Sequence, residues 1–159
     1  MSGKTLVAYF SASGVTADAA RVIADVTKGD LFEIVPETRY SDADLNWRDS
    51  KSRSSVEMKD PKARPPISSR VDRMEEYGTV FVGFPTWWGV APRIIDTFLE
   101  SYDFSGKTLV PFCTSGGSGV GSSDAKLHKD VSPDVDWKPG KLIGRADRAA
   151  IERWIESLE

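Results

Sequence analysis

The chain has 159 residues, of which 40% are hydrophobic, and this length can bury a full core without disulfides or structural metals. With 21 Lys and Arg against 24 Asp and Glu, the net charge of −3 argues against nucleic-acid binding, because it supplies no basic face for phosphates. Cys113 is the only cysteine, and the sequence shows no charged-then-apolar leader and no apolar run of the roughly 20 residues a membrane span needs. We therefore expect one cytoplasmic domain over residues 1–159, with no membrane span.

The first part of the chain alternates strand and helix patterns. Residues 5–10 and 31–35 are short, mostly apolar runs, which are typical of strands covered on both faces. Between them, apolar residues recur every three or four positions from Val15 to Val26. This spacing predicts a helix, and Gly29 is expected to end it.

Residues 37–66 interrupt the alternation. The segment is rich in charged residues, Ser and Pro, and it has no sustained apolar period. Structureless segments of this length in a compact domain are usually functional or disordered. We expect an elaborated loop with one short helix at the rim of a site. A helix capped by Ser68 or Ser69 and ended by Gly78 is expected to follow.

The rest of the chain returns to alternating elements. The predicted elements are strands at residues 80–84 and 108–113, a helix from Pro92, a helix over residues 124–130, a weak fifth strand within residues 135–143, and a last helix with Ile151, Trp154, Ile155 and Leu158 on one face. This order predicts an α/β fold with an open parallel five-stranded sheet and helices on both faces. Pro111 is an exception within a central strand, so either its missing amide hydrogen needs no partner or the fifth strand is short.

Loops rich in Gly, Ser, Thr and Trp follow the first, third and fourth predicted strands. In open parallel sheets, ligands bind outside the carboxyl ends of the strands, where the strand order reverses. The first loop, residues 11–16 (Ser-Ala-Ser-Gly-Val-Thr), offers three hydroxyls and successive amides at a helix N-terminus, which favours an anion. Ordinary helix capping by Ser13 explains the same residues equally well.

Other phosphate-binding patterns are absent from this loop. It has neither the Gly-Lys-Ser/Thr of a P-loop nor the Gly-x-Gly-x-x-Gly of a dinucleotide fold. It also has no cysteine nucleophile of the kind that a low-molecular-weight phosphatase needs. Phe84-Pro85 ends the third strand, where a response-regulator receiver would have an aspartate.

Three loops together resemble those of the flavodoxin family: residues 11–16, residues 85–89 (Pro-Thr-Trp-Trp-Gly) and residues 113–119 (Cys-Thr-Ser-Gly-Gly-Ser-Gly). The most similar branch consists of small flavodoxin-like proteins with the second and third of these stretches. The resemblance implies a sheet of strand order 2-1-3-4-5 and bound FMN. The implied FMN-binding residues are Ser11, Ser13, Gly14, Val15 and Thr16 at the phosphate, Pro85, Thr86, Trp87, Trp88 and Gly89 at the isoalloxazine, and Ser115, Gly116, Gly117 and Ser118 at its pyrimidine edge.

The third loop departs from the family in one respect. Many flavodoxins stack a tyrosine from this loop on the outer flavin face, whereas residues 115–119 contain no aromatic side chain. Either the long segment covers that face, through Trp47 or Tyr40, or the face is open and could admit a quinone or a nicotinamide. Gly89 has a further implied role, because a glycine-containing peptide in this loop of flavodoxins can flip toward the reduced flavin at low steric cost.

Three functions are compatible with these features. The first is an electron-transfer protein whose FMN cycles between redox states, with a partner protein or a small-molecule acceptor. The second is an FMN-dependent NAD(P)H:quinone-type oxidoreductase, and the third is a non-catalytic binding or regulatory domain on the same scaffold. The carrier is favoured because we find no dinucleotide motif and no acid–base residue, although residues 37–66 carry seven basic against six acidic residues rather than an acidic rim. No catalytic residue and no metal site are predicted, and the sequence does not indicate the oligomeric state.

Overall fold

Strands and helices alternate through most of the described chain. The computed structural model describes residues 3–11, 14–46, 48–87, 90–114, 127–143 and 147–158. The strands are β1 (Lys4–Tyr9), β2 (Asp30–Glu33), β3 (Tyr77–Pro85), β4 (Thr108–Thr114), β5 (Asp136–Trp137) and β6 (Lys141–Leu142). The helices with defined bounds are α1 (Val15–Thr27), α2 (Arg53–Lys59), α3 (Arg93–Glu100) and α4 (Arg148–Ser157).

All strand pairs are parallel, and the sheet order is β2-β1-β3-β4-β5, with β6 also paired to β4. The predicted order 2-1-3-4-5 is therefore confirmed. From β1 the chain adds β2 on one side of that strand and later β3 on its other side, so the strand order reverses at β1. This reversal places the loops after β1 and β3 next to each other at one edge of the sheet.

Two hydrophobic clusters cover the two faces of the sheet. Successive side chains of a strand point to opposite faces, so Leu6 and Ala8 join one cluster while Val7 and Tyr9 join the other. The first cluster includes the buried stripe of α3, and the second includes the buried faces of α1 and α4. This double cover explains why the strands are almost wholly apolar in sequence.

The edge beyond β4 corrects the expectation of a single fifth strand. Two strands of two residues each, β5 and β6, lie where one strand was predicted, so the sheet has six strands. The β4 carbonyls of Leu109 and Cys113 accept hydrogen bonds from this outer edge, at 2.9 and 2.8 Å. Pro111 lies midway between them and faces the gap between β5 and β6. Both explanations for this proline apply, because the fifth strand is short and ends at the place where the amide hydrogen of Pro111 is missing.

The helix predicted between Ser68 or Ser69 and Gly78 is wrong. Its place is taken by a three-residue 3-10 helix, Met74–Glu76, and β3 already begins at Tyr77. The two serine hydroxyls do not cap a helix, because Ser68 Oγ donates to the Val35 carbonyl at 3.0 Å and Ser69 Oγ to the Glu33 carbonyl at 3.3 Å. The serines therefore join this stretch to the chain just after β2.

The long segment 37–66 contains the short helix that was expected, which is α2. Ser52 caps α2 by accepting a hydrogen bond from the amide of Ser55. Of the helix predicted over residues 124–130, residues 124–126 lie outside the described residues, while residues 127–128 are helical and residues 129–130 form a turn. Among the described helices, none has the length and apolar character to cross a membrane.

Candidate functional site

The start of α1 lies just beyond the carboxyl end of β1 and is organised by Ser11. Its Oγ accepts hydrogen bonds from the amides of Gly14 at 3.0 Å and Ala17 at 3.3 Å. Gly14 has a φ of 95°, in the left-handed region where glycine is favoured, and apart from its chain neighbours no described atom lies within 4 Å of where a Cβ would be. The amides of Val15 and Thr16, in the first turn, have no partner within the helix and belong to its positive end.

Thr114 joins this helix start to the other two loops. Thr16 is 2% exposed, and its Oγ1 lies 2.7 Å from Oγ1 of Thr114, which ends β4. The carbonyl of Thr114 also accepts a hydrogen bond from the amide of Thr86, at 3.1 Å. One residue thus contacts the loop after β1 and the loop after β3, and it opens the loop after β4.

The loop after β3 contains a polar atom without a partner. Thr86 Oγ1 is buried, and no described atom forms a hydrogen bond with it. The next residue, Trp87, forms two backbone hydrogen bonds with Val90, at 2.8 and 3.1 Å. A buried hydroxyl without a partner costs free energy, so its presence at this edge indicates a place where a ligand can supply the missing bond.

Three aromatic rings, hereafter the aromatic wall, meet beside this loop. The Trp87 ring packs edge-on against Phe10, with centroids 5.9 Å apart, and against Tyr40, with centroids 5.5 Å apart. Phe10 and Tyr40 contact each other at 5.6 Å. Burial and a hydrogen bond donated to Glu57 raise the pKa of Tyr40 well above its usual range, so the phenol stays neutral.

A small polar cleft adjoins Ser11 on the β2 side. It has a volume of about 90 Å³ and is lined by Ser11, Glu33, Arg39 and Tyr40, together with Phe10, Ile34 and Pro36. A volume of this size holds about three water molecules or one small polar group. The two opposite charges leave the cleft with no strong preference for an anion or a cation.

The structure describes half of the predicted site residues and brings them to one edge of the sheet. Those described are Ser11, Gly14, Val15, Thr16, Pro85, Thr86 and Trp87. Those outside the described residues are Ser13, Trp88, Gly89, Ser115, Gly116, Gly117 and Ser118, and Trp47 is outside as well. The Val15 side chain is 49% exposed, so only its backbone can belong to an enclosed site.

Sequence reasoning missed some residues of the site and left others on the surface. The sequence places Thr114 only in the third loop, although its position directly after a predicted strand was a signal that could have identified it as a site residue. Arg53 is one of the charged residues of segment 37–66, where a surface position is the default expectation, but its guanidinium lies 3.8 Å from the centre of the Tyr40 ring and its Nε pairs with Glu57 at 2.9 Å. No local pattern identifies the contact between Arg53 and Tyr40, because it joins separate parts of the long segment.

The comparisons with known proteins agree with this architecture. The model of a family described as flavodoxin matches residues 4–158. The chain belongs to the flavodoxin family. Two solved structures, of proteins assigned as flavoproteins in Bacteroides eggerthii and Bacteroides uniformis, are 50% and 48% identical to it, with TM-scores of 0.93 and 0.92. The first covers 98% of each chain, and the second covers 98% of this chain and 99% of the other.

A more distant flavodoxin-like structure contains a cofactor. It is a flavoprotein from Lactobacillus acidophilus in complex with FMN, 21% identical, with a TM-score of 0.71 over 97% of this chain and 99% of that chain. At this identity the likeness shows the fold alone. No curated protein matches this flavodoxin.

Proposed function

We propose that this flavodoxin binds FMN at the carboxyl edge of the sheet and transfers electrons through it. The observation that carries the proposal is the junction at Thr114, which joins the start of α1 to the Thr86 loop, where Thr86 Oγ1 is buried with no partner among the described atoms. The helix start suits a phosphate, and the loop after β3 suits a flat ring with polar edges. The FMN complex of the Lactobacillus acidophilus flavoprotein, which shares the fold, supports the same ligand.

In this proposal the residues divide the cofactor between them. The amides of Val15 and Thr16, with the hydroxyls of Ser11, Ser13 and Thr16, hold the phosphate, and Gly14 lets the backbone approach it closely. Pro85, Thr86, Trp87, Trp88 and Gly89 contact the isoalloxazine, and residues 115–118 contact its pyrimidine edge. The bound FMN supplies the redox chemistry, and the chain orients it and sets its surroundings.

The first experiment identifies the flavin. The protein is purified, denatured and centrifuged, and the released chromophore is separated by chromatography beside FMN, FAD and riboflavin standards. We expect FMN, because the described loops offer one helix start for one terminal phosphate. A colourless protein that also fails to bind added FMN would overturn the proposal, and release of FAD would overturn the choice of cofactor.

The second experiment separates an electron carrier from an NAD(P)H-dependent oxidoreductase. The FMN-loaded protein is mixed anaerobically with NADPH or NADH, and the loss of flavin absorbance is followed. A carrier requires a partner reductase, so we expect slow bleaching by either nucleotide alone and rapid bleaching when a flavodoxin reductase is added. Rapid bleaching by NADPH or NADH alone would replace the carrier with the oxidoreductase.

The surroundings of the protein follow from the same proposal. A redox partner protein or a small-molecule acceptor is needed to receive the electrons. The single cysteine, Cys113, is buried, and with no second thiol it forms no internal disulfide, which suits a reducing compartment. We therefore propose a cytoplasmic location.

A further inference from the structure

The long segment 37–66 contributes a ring to the candidate site. Its Tyr40 is a member of the aromatic wall and contacts both Phe10, after β1, and Trp87, after β3. These two rings follow the neighbouring strands at which the sheet order reverses. Tyr40 therefore lies at the ligand-binding edge of the sheet, although it comes from a segment that the sequence marks as a loop.

Tyr40 is held by a network of polar contacts on its own segment. Its hydroxyl donates to Glu57 Oε1, and Glu57 Oε2 accepts from Arg53 Nε at 2.9 Å. The Arg53 guanidinium lies on the Tyr40 ring, 3.8 Å from its centre, and its Nη1 donates to the Thr38 carbonyl at 2.6 Å. The side chains of Arg53 and Glu57 are only 22% and 15% exposed, so this ion pair has lost much of its hydration. Ion pairs of ordinary surface loops keep their hydration, so this pair is part of a packed structure.

Helix α2, which contains Arg53 and Glu57, is also hydrogen-bonded to α3, the helix that follows the Trp87 loop. Arg93, the first residue of α3, is 8% exposed, and its Nη2 donates to the carbonyl of Met58 at 2.9 Å. Its Nε donates to the carbonyl of Glu57 at 3.4 Å. Helix α2 thus contacts Tyr40 through Arg53 and Glu57, and it is hydrogen-bonded to Arg93 at the start of α3. Trp87 contacts Tyr40 and precedes α3 in the chain, so both of these neighbours are attached to α2.

We infer that Tyr40 is a positioning residue for the flavin ring. It acts by fixing the orientation of Trp87, and Glu57 and Arg53 hold Tyr40 in place. The inference rests on the proposed FMN site. It assigns to segment 37–66 a role at the ring end of the cofactor rather than at the phosphate end. Ser11 and Thr16, in contrast, act at the phosphate end.

Comparing FMN with riboflavin tests this assignment. Riboflavin has the same ring and lacks the phosphate, so a change at the ring end weakens both ligands by the same factor. We expect Tyr40→Ala to weaken FMN and riboflavin binding about tenfold each, and Tyr40→Phe, which keeps the ring and loses the Glu57 bond, by about threefold. Glu57→Gln should resemble Tyr40→Phe. The visible circular dichroism of bound flavin should change in all three variants.

Tyr102→Phe is the matched control. Tyr102 is also a half-buried tyrosine with a bonded hydroxyl, which accepts from the Val71 amide at 2.8 Å, but it packs against Phe98 and Phe104, away from the aromatic wall. It should leave both affinities and the dichroism unchanged. Thermal unfolding of each flavin-free variant shows whether the fold is retained, and if Tyr40→Ala does not fold, Tyr40→Phe and Glu57→Gln decide the matter.

The outcomes separate this inference from the proposed function. A natural protein that binds neither flavin would overturn the proposed function itself. If the natural protein binds FMN and the Tyr40 and Glu57 variants bind both flavins unchanged, with the same dichroism, the positioning role is wrong and the proposed function stands. Weakening of FMN alone would place Tyr40 at the phosphate end and would also overturn the inference.

Discussion

The side chains of Thr16 and Thr114 meet through their hydroxyls, 2.7 Å apart, in the interior of the protein. The two residues are 98 positions apart in sequence, and they join the first turn of α1 to the last residue of β4. Because both are buried, neither hydroxyl has water as an alternative partner. The bond therefore fixes the helix start relative to the end of the strand, and the site is assembled around it.

Replacing Thr114 with valine should weaken both the fold and the binding of FMN. The substitution keeps the shape of the side chain but leaves the buried Thr16 hydroxyl without its partner. We expect the free energy of unfolding to fall by about 1–3 kcal/mol, and FMN to bind more weakly than to the natural protein. Chemical denaturation of the flavin-free protein and FMN titration measure the two effects, and Thr114→Ser should restore most of both.

Thr108→Val is the matched control for this prediction. Thr108 begins the same strand, at the end away from the site, and is half-buried. It should change FMN binding little. Equal effects of the two variants on FMN binding would mean that loss of any hydroxyl from β4 is sufficient, and the junction would have no special role.

Residues that are close in sequence made much of this arrangement predictable. β1 ends at Tyr9 and α1 begins at Val15, so the position of Thr16 at the start of α1 follows from local pattern alone. The parallel order of the strands follows from their alternation with helices and from the family resemblance. Pro111 left two alternatives open, an amide position that needs no partner or a short fifth strand, and the structure agrees with both.

Contacts between distant residues could not be predicted in the same way. The bond between Thr16 and Thr114 depends on the order of strands in space, which no single loop contains. The helix expected after Ser68 and Ser69 failed for the same reason, since those hydroxyls bond to carbonyls after β2 rather than to a local helix. After Ser68 and Ser69, local helix propensity gave way to tertiary contacts.

Valine in place of either of two buried threonines should have the same effect on the stability of the flavin-free protein, although only one of the two variants should affect flavin binding. Among the described residues, Thr79 Oγ1 in β3 and Thr86 Oγ1 in the loop after it have no hydrogen bond. Valine in place of either removes an unpaired polar atom, so each variant should keep or slightly raise the free energy of unfolding of the flavin-free protein, by up to about 1 kcal/mol. Denaturation curves check this common effect.

Only the Thr86 variant should affect flavin. Thr86 faces the ring end in our proposal, so Thr86→Val should weaken FMN and riboflavin equally, by about two- to tenfold for one lost neutral hydrogen bond. Thr79→Val serves as the control, because Thr79 is 1% exposed and pairs within the sheet, level with Thr5 and Thr108 at its far end. A Thr86 variant with unchanged affinity for both flavins would show that the ligand does not use this hydroxyl.

Gly83 should be essential to the packing of the sheet. It lies in β3 directly opposite Phe112 in β4, and a Cβ at Gly83 would be 2.1 Å from Cζ of that ring. The Phe112 side chain is fully buried, so it can move only by displacing its neighbours. Gly83→Ala should lower the free energy of unfolding by about 1–3 kcal/mol, which corresponds to a fall in Tm of roughly 2–12 °C.

A second substitution shows whether this clash is the cause. Phe112→Leu leaves a smaller side chain opposite Gly83 and is itself expected to destabilise the core. In the double variant the added methyl group occupies part of the vacated space, so its loss of stability should be smaller than the sum of the two single losses. Strict additivity would show that Gly83 is needed for another reason.

Asp130 lies against two other carboxyl groups on α3. Burial, a hydrogen bond with Asp96, and repulsion from Asp96 and Glu100 together raise the pKa of Asp130 to about 8, and Arg64 only partly offsets them. Arg64 instead binds Glu100 through two hydrogen bonds, at 2.8 and 3.0 Å, and holds the pKa of Glu100 below its usual value. At neutral pH, Asp130 is therefore largely a neutral acid in the folded protein and a carboxylate in the unfolded chain.

This difference predicts that the folded state loses stability as pH rises from about 4 to about 8. Within this range the folded protein binds the Asp130 proton more tightly than the unfolded chain does, so its stabilising effect is complete below pH 4 and is lost through pH 8. Asp130→Asn keeps a neutral hydrogen-bonding group, and this variant should lose less stability across the range and be more stable than the natural protein at pH 8 and above. Denaturation at half-unit pH steps measures both slopes, with Asp134→Asn, at an exposed position in the same stretch, as the control. The same slope for Asp130→Asn and the natural protein would show that the proton is not held at Asp130.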